Sequence, residues 1–465
     1  MQSSWPWSMT ALEHAAFVAA GLLTYVLVTR IGRQRRHPSA ALAWVVGIAA
    51  FPYLALPLFL VFGTRKFARP PHRPMALQLR PDDAGAAPRW ATSLLAALDV
   101  DPVHHAASIE FHADGVRSLQ ALLALCAAAR QRLDVGTFFL GNDEVGAATV
   151  RCLAEAAARG VRTRLLIDAI GSRTTPRRRL DALRAAGVAV VRFMPLLHNP
   201  LRGRTNLRNH RKLAVADGLR LWSGGRNLAV EYFLDRPGQP AWTELSFTIE
   251  GPLAGSAQAQ FEQDWRLAGG APAAAAAPAR DDAPGRPGPL AQWVPTGPDR
   301  ADDTVYALLL AAAHHATQRI LAVTPYFVPD DALLDAWCMA CRRGVRLCLV
   351  VPARSNHRLA DLARERALRR LVAAGAEVRL AGGMVHAKAV VVDNGLALCG
   401  SVNLDGRSLF LNYEVMTAFY GIDEIEWLER WIEALGERGS PHRGETPSLP
   451  RDVLEGVVRS VGFQL

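Results

Sequence analysis

The 465-residue sequence repeats one pattern of strands and helices, and this internal repeat constrains the fold more than any other feature. In the first half, ARQRLDVGTFFLGND (129–143) leads through a helical stretch to ARGVRTRLLIDAIGS (158–172). In the second half, ATQRILAVTPYFVPDD (316–331) leads in the same way to CRRGVRLCLVVPARS (341–355). Strands that alternate with helices are typical of layered α/β units. The sequence therefore predicts two α/β domains of one design.

Two glycines and one low-complexity stretch indicate where these domains begin and end. Gly187 and Gly375 follow matching helices and precede β-rich runs. Glycine is favoured at this position, just after the C-terminus of a helix. A stretch rich in Pro, Ala and Gly predicts a linker of little regular structure. The predicted order is a connecting segment, a first domain, the linker and a second domain, at 69–104, 105–268, 269–290 and 291–465.

The N-terminal region, 1–68, is apolar enough to enter a membrane. No charged residue occurs from Pro38 to Thr64, and Met9 to Thr29 contains Glu13 as its one charged residue. About 20 apolar residues cross a bilayer, so we expect two transmembrane helices at about 9–29 and 39–64, with both termini on one side. Arginines lie between the stretches and also follow the second, so the positive-inside rule does not assign a side. A cleaved signal peptide is the disfavoured alternative, because the start MQSSWPWSMT has no basic residue.

The charge and cysteine content limit the class of partner. A formal net charge of +10 favours anionic partners such as nucleic acid, phospholipid or a phosphorylated small molecule. The Cys338-x-x-Cys341 pair is more consistent with two small helix residues than with a zinc site, because no second pair or nearby histidine accompanies it. Only three of the 53 basic residues are lysine.

Each half contains the same short motif. The motifs are His210-x-Lys212-x4-Asp217 with Gly224-Gly225-x-Asn227, and His386-x-Lys388-x4-Asp393 with Gly400-Ser401-x-Asn403. Two of the three lysines occupy these motifs, which indicates that an ammonium group is required there in place of a guanidinium. Asp217 and Asp393 follow strand-like runs, so they fit two roles: catalytic members of the motif, or turn residues that end those strands.

The two motifs together indicate phosphoryl transfer without a metal or cofactor. Lysine ammonium groups and asparagine amides can neutralise the oxygens of a phosphodiester, and these candidates are Lys212, Lys388, Asn227 and Asn403. His210 and His386 can supply a nucleophile and a proton donor near neutral pH. A metallohydrolase is disfavoured because HExxH is absent. A serine nucleophile is disfavoured because Ser401 corresponds to Gly225 in the other half.

With their G-[GS]-x-N partners, the motifs resemble the phospholipase D superfamily, and TPYFVPD (324–330) and GSVNLDGRSLFLNYE (400–414) resemble the bacterial cardiolipin synthases within it. The resemblance implies two tandem α/β/α sandwich domains in a pseudo-twofold arrangement, preceded by a two-helix transmembrane hairpin. It implies that a phosphatidyl group passes from one phosphatidylglycerol to another, through a phosphohistidine, to give cardiolipin and glycerol. It also implies a multi-pass protein of the bacterial inner membrane, with membrane lipids as partners.

The resemblance further implies an acidic side chain that orients each histidine. Glu414 is the candidate for His386 and Glu244 the candidate for His210, with Glu231 as the alternative to Glu244. The family's usual assignment makes His210 the nucleophile and His386 the general acid and then base. Four flanking arginines would keep the imidazole of His210 neutral, and these are Arg202, Arg204, Arg208 and Arg211. The same arginines are equally consistent with a solvated face or a lipid-binding face.

Other functions and contacts remain open from the residues alone. A phospholipase D that uses water or another alcohol fits the same motifs, because pocket shape selects the acceptor. A nuclease or nucleic-acid-binding protein fits the charge and the phosphodiester chemistry, but the apolar N-terminal region argues against it. Trp427 and Trp431 lie on a helix that we expect to pack on a sheet in preference to lipid. Tyr326 and Phe327 fit either the site or a strand core.

Overall fold

The computed structural model describes residues 11–31, 38–63, 87–195, 206–272 and 288–460. Most of the predicted linker and half of the connecting segment lie outside the described residues, as do Arg202 and Arg204.

The described elements follow the predicted alternation of strands and helices. The helices are α1 (Ala11–Ile31), α2 (Pro38–Ala50), α3 (Pro52–Phe62), α4 (Arg89–Ala97), α5 (Gly115–Ala128), α6 (Glu144–Ala158), α7 (Arg177–Ala185), α8 (Leu253–Leu267), α9 (Thr304–His315), α10 (Asp331–Arg342), α11 (Arg358–Ala373), α12 (Gly406–Phe410), α13 (Ile422–Arg438) and α14 (Leu449–Ser460). The strands are β1 (His104–His105), β2 (Ser108–His112), β3 (Arg132–Thr137), β4 (Arg162–Asp168), β5 (Ala189–Phe193), β6 (Leu213–Ala216), β7 (Arg220–Gly224), β8 (Ser246–Glu250), β9 (Leu290–Thr296), β10 (Arg319–Val323), β11 (Phe327–Val328), β12 (Arg346–Pro352), β13 (Glu377–Ala381), β14 (Ala389–Val392), β15 (Leu396–Gly400), β16 (Leu404–Asp405), β17 (Glu414–Phe419) and β18 (Ser440–Pro441).

The two halves build the same mixed sheet, which confirms the predicted duplication. The strand order is β2-β8-β7-β6-β3-β4-β5 in the first half. The second sheet repeats it as β9-β17-β15-β14-β10-β12-β13 and adds β1 and β18 at its two edges. In each sheet three neighbouring strands are parallel, β3-β4-β5 and β10-β12-β13, and all other neighbours pair in antiparallel fashion. Gly187 and Gly375 both adopt positive φ, +88° and +102°, as the predicted helix caps require.

Each sheet is covered by helices on both faces, and the two inner faces share one core. Side chains of α8 and α13 pack in this shared core together with strands of both sheets. Trp427 of α13 stacks on Phe111 of β2, with ring centroids 4.7 Å apart. The expected packing of this helix on protein is therefore confirmed. Cys338 is buried in the outer core of the second half, as expected for a helix residue.

Part of the connecting segment belongs structurally to the second half. Ala91 and Leu95 of α4 are buried in the same core as Leu290 at the start of β9. Strand β1 pairs with β9 in the second sheet. The chain therefore contributes residues to the second half before it forms the first, which local composition does not reveal.

The N-terminal region differs from the prediction of two spanning helices. Among the residues that the structure describes, one helix, with a candidate span at Ala11–Thr29, is long and apolar enough to cross a membrane. The predicted helix at 39–64 is wrong as a single element, because the chain forms α2, breaks at Phe51 and restarts at Pro52 as α3. The break has a local cause: a proline disfavours helical backbone at the residue before it, and Phe51 has φ −138° and ψ 62°.

Candidate active site

A β-hairpin in each half explains why the spacing within the motif is the same in both halves. Residues 210–212 lead into β6, Asp217 turns the chain, and β7 returns antiparallel to the level of residues 224–227. The second half repeats this with β14, Asp393 and β15. Because the two strands are antiparallel neighbours, the histidine, lysine and asparagine of each motif meet at one edge of the sheet.

Short backbone contacts between the halves bring the two edges together. Asn209 forms a bridge with Tyr413, and Thr243 forms the equivalent bridge with Val385. The backbone N–H of His210 donates to the carbonyl of Tyr413 at 2.9 Å. The segment before each motif histidine therefore lies beside the segment that carries the acidic candidate of the other half.

These contacts pair each histidine with the glutamate of the other half, which is the reverse of the predicted pairing. Nδ1 of His210 is hydrogen-bonded to the carboxylate of Glu414 at 2.9 Å, and Nδ1 of His386 to that of Glu244 at 2.5 Å. The expected pairing of Glu414 with His386 and of Glu244 with His210 is wrong. Within one half, β7 lies between β6 and β8, so a whole strand separates the histidine from the glutamate.

The position that differs between the motifs, Gly225 or Ser401, supports the glutamates in two ways. Ser401 Oγ donates a hydrogen bond to Glu414 at 2.5 Å. A Cβ atom at Gly225 would lie 2.4 Å from Oε1 of Glu244, so no side chain fits there. Ser401 is therefore a hydrogen-bond donor to the orienting carboxylate, a role that the sequence did not predict.

The two motif lysines are fully buried and turn back on their own histidines. Lys212 Nζ donates to the backbone carbonyl of His210 at 2.7 Å. Lys388 Nζ donates to the carbonyl of His386 and lies 3.8 Å from Glu244. Burial lowers the pKa of Lys388 to about 8 and that of Lys212 well below its ordinary value.

Burial also sets the charge of the histidines. Burial, opposed by Glu414 and assisted by Lys212, lowers the pKa of His210 to about 4. Burial and Lys388 lower the pKa of His386 to about 3 against the effect of Glu244. Both imidazoles are therefore neutral at pH 7 in the free protein. The charge of each lysine reaches the histidine of the other half, which indicates that the two motifs form one electrostatic unit.

The glutamates are held in their charged form. Burial acts to raise the pKa of Glu244, but Lys388 and His386 outweigh it and lower the pKa to about 2. The pKa of Glu414 is lowered in spite of burial, chiefly by His210. A charged carboxylate accepts a hydrogen bond from Nδ1–H of its histidine, which leaves Nε2 of the neutral imidazole without a proton.

The two motif asparagines are buried with unused hydrogen-bonding capacity. Asn227 donates through Nδ2 to the hydroxyl of Tyr232 at 2.8 Å. Within the part of the chain that is described, Oδ1 of Asn227 and Oδ1 of Asn403 have no hydrogen-bond partner. Buried amide groups are rarely left in this way unless a ligand completes them.

The two motif aspartates do not line this site, and the catalytic role among the two considered for them is wrong. Asp217 accepts hydrogen bonds from the backbone N–H groups of residues 130, 131 and 132. Asp393 accepts equivalent bonds from residues 317, 318 and 319. Both adopt positive φ, +56° and +48°, in the turns that close the motif hairpins. Their hydrogen bonds connect the turn of each hairpin to the start of the neighbouring strand, β3 in the first half and β10 in the second.

The described arginines near His210 form neither a solvated nor a lipid-binding face. Arg208 pairs with Asp168, and Arg211 pairs with Asp264 at 2.5 Å, with all four residues buried. Arg211 also donates to the backbone carbonyl of Glu414 at 3.0 Å. Because their charges are paired, these arginines give no support to a neutral His210 as nucleophile. The Arg208 side chain bonds within the first half. Arg211 joins the two halves beside the site through the carbonyls of Glu414 and Thr296.

Sequence reasoning missed the two aspartates that position the segment before His210. Asp168 accepts the backbone N–H of Asn209 at 3.0 Å, and Asp264 accepts the Nδ2 amide of Asn209 at 3.0 Å. A signal was present in the motif itself, since Arg211 corresponds to Ala387 in the second half. A buried arginine in one motif requires an acidic partner.

Aromatic rings surround the two histidines unequally. Ring centroids of Tyr232, Trp242 and Tyr326 lie 5.2, 5.5 and 6.4 Å from that of His386. Phe138 lies 5.0 Å from His210. Of the two aromatic residues left open by the sequence, Tyr326 therefore borders the site, whereas Phe327 is buried in the core.

Comparisons with known proteins identify the family of the chain. The family model described as cardiolipin synthase, PLD-like domain, matches residues 122–265 and 309–435. Cardiolipin synthase A of Pseudomonas aeruginosa is 32% identical over 434 residues, which are 88% of this chain and 87% of that protein. Cardiolipin synthase A of Pseudomonas entomophila is 32% identical over 82% of each chain. The phosphatidylserine synthase of Haemophilus influenzae, at 14% identity, has a similar fold with a TM-score of 0.60 over 81% of this chain and 100% of that chain. The chain therefore belongs to the cardiolipin synthase family of proteins with phospholipase D-like domains.

Proposed function

We propose that this protein is a cardiolipin synthase that transfers a phosphatidyl group between two phosphatidylglycerol molecules. The observation that carries the proposal is the pair of neutral histidines, each with Nδ1 held by a buried carboxylate of the other half. Two buried lysines lie beside them. This set provides two nitrogen bases and two cations for one phosphodiester, which is what a double displacement at phosphorus requires.

The first step forms a covalent intermediate. Nε2 of His210 attacks the phosphorus of the first phosphatidylglycerol, and the bond to the glycerol oxygen breaks. The negative phosphodiester raises the pKa of the nearby imidazoles, so that His386 enters the step protonated and gives its Nε2 proton to the departing glycerol. The product is a phosphatidyl group on His210.

The second step reverses the proton transfer. A terminal glycerol hydroxyl of the second phosphatidylglycerol gives its proton to Nε2 of His386, and its oxygen attacks phosphorus. The bond between phosphorus and His210 breaks, which releases cardiolipin, frees the imidazole of His210 and leaves His386 protonated as at the start of the first step. The assignment of His210 as nucleophile rests on the family resemblance, because burial lowers the pKa of both histidines to similar values.

Lysines and asparagines hold the phosphate in this proposal. Lys212 and Lys388 neutralise the nonbridging oxygens when charged. Rotation of the Asn227 amide by 180° lets the Tyr232 hydroxyl donate to Oδ1 and turns the Nδ2 donors towards the phosphate. The unpartnered amide oxygen of Asn227 supports this rotation, because the rotated oxygen gains the Tyr232 hydroxyl as its donor.

The substrates place the protein at a membrane. Phosphatidylglycerol and cardiolipin are bilayer lipids, and the apolar helix α1 is long enough to cross a bilayer. We therefore assign the protein to the inner membrane of a bacterium, with lipids as its partners.

Purified full-length protein incubated with labelled phosphatidylglycerol tests the proposal. Cardiolipin and glycerol are expected in equal amounts. Excess EDTA should leave the rate unchanged, because lysines and asparagines bind the phosphate oxygens. Phosphatidate as the main product would identify a hydrolytic phospholipase D. Loss of activity in EDTA with recovery in Mg²⁺ or Zn²⁺ would overturn the mechanism.

A substrate with a good leaving group separates the two histidines. Such a leaving group needs no general acid, so His386→Ala should still accumulate a covalent phosphatidyl-enzyme, and His210→Ala should not. Mass spectrometry after acid quench locates the adduct. An adduct on His386 in the His210→Ala protein would reverse the assignment.

A further inference from the structure

The apolar stretch after α1 folds back on itself. Trp44 of α2 and Phe59 of α3 are 15 residues apart, a separation of about 22 Å along a continuous helix. Their ring centroids are 5.3 Å apart. A Cβ atom added at Gly47 would lie 3.5 Å from Cβ of Ala55. Helices α2 and α3 are therefore antiparallel neighbours, with Phe51 and Pro52 at their tip.

Contacts with α1 give the direction of this α2–α3 hairpin. Near the start of α1, the ring of Phe17 lies 5.0 Å from that of Tyr53, next to the tip. Near the end of α1, the ring of Tyr25 lies 5.1 Å from that of Phe59. Helix α1 is thus parallel to α3. The tip lies near the start of α1, whereas the open end of the hairpin lies near the end of α1.

The helix lengths distinguish one spanning helix from two short ones. With 21 residues, α1 is about 31 Å long, which matches the hydrocarbon thickness of a bilayer. Helices α2 and α3, with 13 and 11 residues, reach only about 20 and 16 Å. The hairpin is therefore too short to cross and return, but long enough to enter and leave by one face.

The break at the tip is compatible with a lipid environment. The N–H of Phe51 donates to the carbonyl of Gly47, and the carbonyl of Phe51 accepts the N–H groups of Leu54 and Ala55. Pro52 has no N–H to satisfy. Small residues at the helix contacts, Gly47 against Ala55 and Gly21 against Ile48, allow the close approach that is typical of helices packed in membranes.

We infer that α1 crosses the membrane once and that α2 and α3 form a re-entrant hairpin, which enters and leaves the bilayer on the catalytic side. This inference rests on the membrane residence proposed above. One span and a re-entrant hairpin replace the predicted pair of spans. The residues before α1 then lie on one side of the membrane, and both catalytic halves lie on the other.

The arrangement removes the conflict between the two groups of arginines. Ile31 and Gly63 lie at the same end of the helices. In the sequence, Ile31 is followed by Arg33, Arg35 and Arg36, and Gly63 is followed by Arg65, Lys66 and Arg69. No Lys or Arg occurs in residues 1–29. The positive-inside rule then assigns the basic end and the catalytic halves to the cytoplasm.

Cysteine labelling in spheroplasts tests this topology. Cys341→Ser serves as the background, because the other five native cysteines are buried. Ser8→Cys, Gln34→Cys and Ala68→Cys are added one at a time, and each variant is treated with a membrane-impermeant maleimide before and after lysis. Carbonate-washed membranes and cardiolipin formation are measured for every variant.

We expect Ser8→Cys to be labelled in intact spheroplasts, and Gln34→Cys and Ala68→Cys to be labelled only after lysis. Opposite labelling of Gln34→Cys and Ala68→Cys would overturn the re-entrant hairpin and restore two spans. Labelling of both from outside would keep the hairpin and overturn the orientation. Recovery in the soluble fraction would overturn membrane insertion itself. An inactive protein with the expected labelling would refute the proposed enzyme and leave the topology in place.

Discussion

The carboxylate of Glu414, from the second half of the chain, holds Nδ1 of His210, from the first half, at 2.9 Å. The reciprocal pair, Glu244 and His386, is related to it by the internal duplication. Each half therefore supplies a histidine that the other half orients.

Replacing either glutamate by glutamine should inactivate the enzyme without unfolding it. Glutamine keeps the shape but removes the charge that holds the Nδ1–H tautomer, and a comparable change in a serine protease costs about 10⁴-fold in kcat. We expect Glu244→Gln and Glu414→Gln to lose about 10²- to 10⁴-fold in kcat, with little change in KM. Initial rates of cardiolipin formation measure this.

Glu231→Gln is the matched control, since Glu231 lies in the short 3-10 turn at Val230–Tyr232 and is only half-buried. Its activity should stay near that of the parent. A pH–rate profile separates positioning from stability, because Glu414 raises the pKa of His210 and its loss should lower that pKa further. Unaltered kcat in both glutamine variants would contradict the crossed-pair mechanism.

Substituting arginine for the motif lysines should be as damaging as removing their charge. Lys212 and Lys388 are fully buried against their histidines, so a planar guanidinium does not fit beside the phosphate. We expect Lys212→Arg and Lys388→Arg to lose at least about 10²-fold in kcat/KM. Lys66→Arg, the remaining lysine, provides the control. Near-parental turnover in both motif variants would show that the ammonium is not required.

Activity should fall on the alkaline side of about pH 8. Burial lowers the pKa of Lys388 to about 8, so the lysine is charged below that pH and loses its proton above it. A neutral lysine no longer attracts the phosphodiester, so kcat/KM should fall by up to about tenfold per pH unit. Steady-state kinetics from pH 6 to 9.5 measure this, and a flat profile to pH 9.5 would refute it.

Acid should destabilise the folded protein through its histidines. The pKa of His210 and of His386 is about 4 and about 3 when folded, against about 6.5 when unfolded, so the unfolded chain binds more protons below pH 6.5. Each histidine then removes up to about 1.4 kcal/mol of stability per pH unit between pH 6.5 and its folded pKa. Thermal shift from pH 7.5 to 5 should show a steeper fall in Tm for the parent than for His210→Gln/His386→Gln. Equal slopes would contradict neutral buried histidines.

The motif aspartates should affect stability more than chemistry. Asp217 and Asp393 each fasten three backbone N–H groups, so Asp217→Ala or Asp393→Ala should cost about 1–3 kcal/mol. The kcat per folded molecule should stay within about threefold, a change of under 1 kcal/mol in the barrier. Differential scanning measurements with active-site titration distinguish the two effects. A loss of kcat comparable with that of the glutamine variants would show that the aspartates take part in catalysis.

The duplication made most of the catalytic fold predictable from sequence. Repeated motifs at equal spacing predicted two equivalent sheets and one shared set of histidines and lysines. The equal spacing has a structural cause, since a hairpin of fixed length joins Lys212 to Asn227. The crossed pairing of Glu244 and Glu414 was not predictable in this way. It depends on how two separately folded sheets face each other, and chain proximity within one half favoured the wrong partner.

Hydropathy likewise identified the apolar region but not its path. Length and composition alone describe 39–64 as a span, whereas the break at Phe51 and Pro52 and the contact of Trp44 with Phe59 turn it into two short helices. A proline inside an apolar run was the available signal. The burial of Arg208 and Arg211 depended on Asp168 and Asp264, which are distant in sequence.

The bridges between the halves, Asn209 with Tyr413 and Thr243 with Val385, are the same contact made twice in opposite directions. Such an isologous contact is what a symmetric dimer of a single half would form. The covalent connection at 269–290 is therefore not what shapes the site. We therefore expect two separately produced chains that contain these surfaces to assemble one pair of oriented histidines, provided that α4 and β1 remain with the second half. Neither chain alone contains both members of a histidine–glutamate pair.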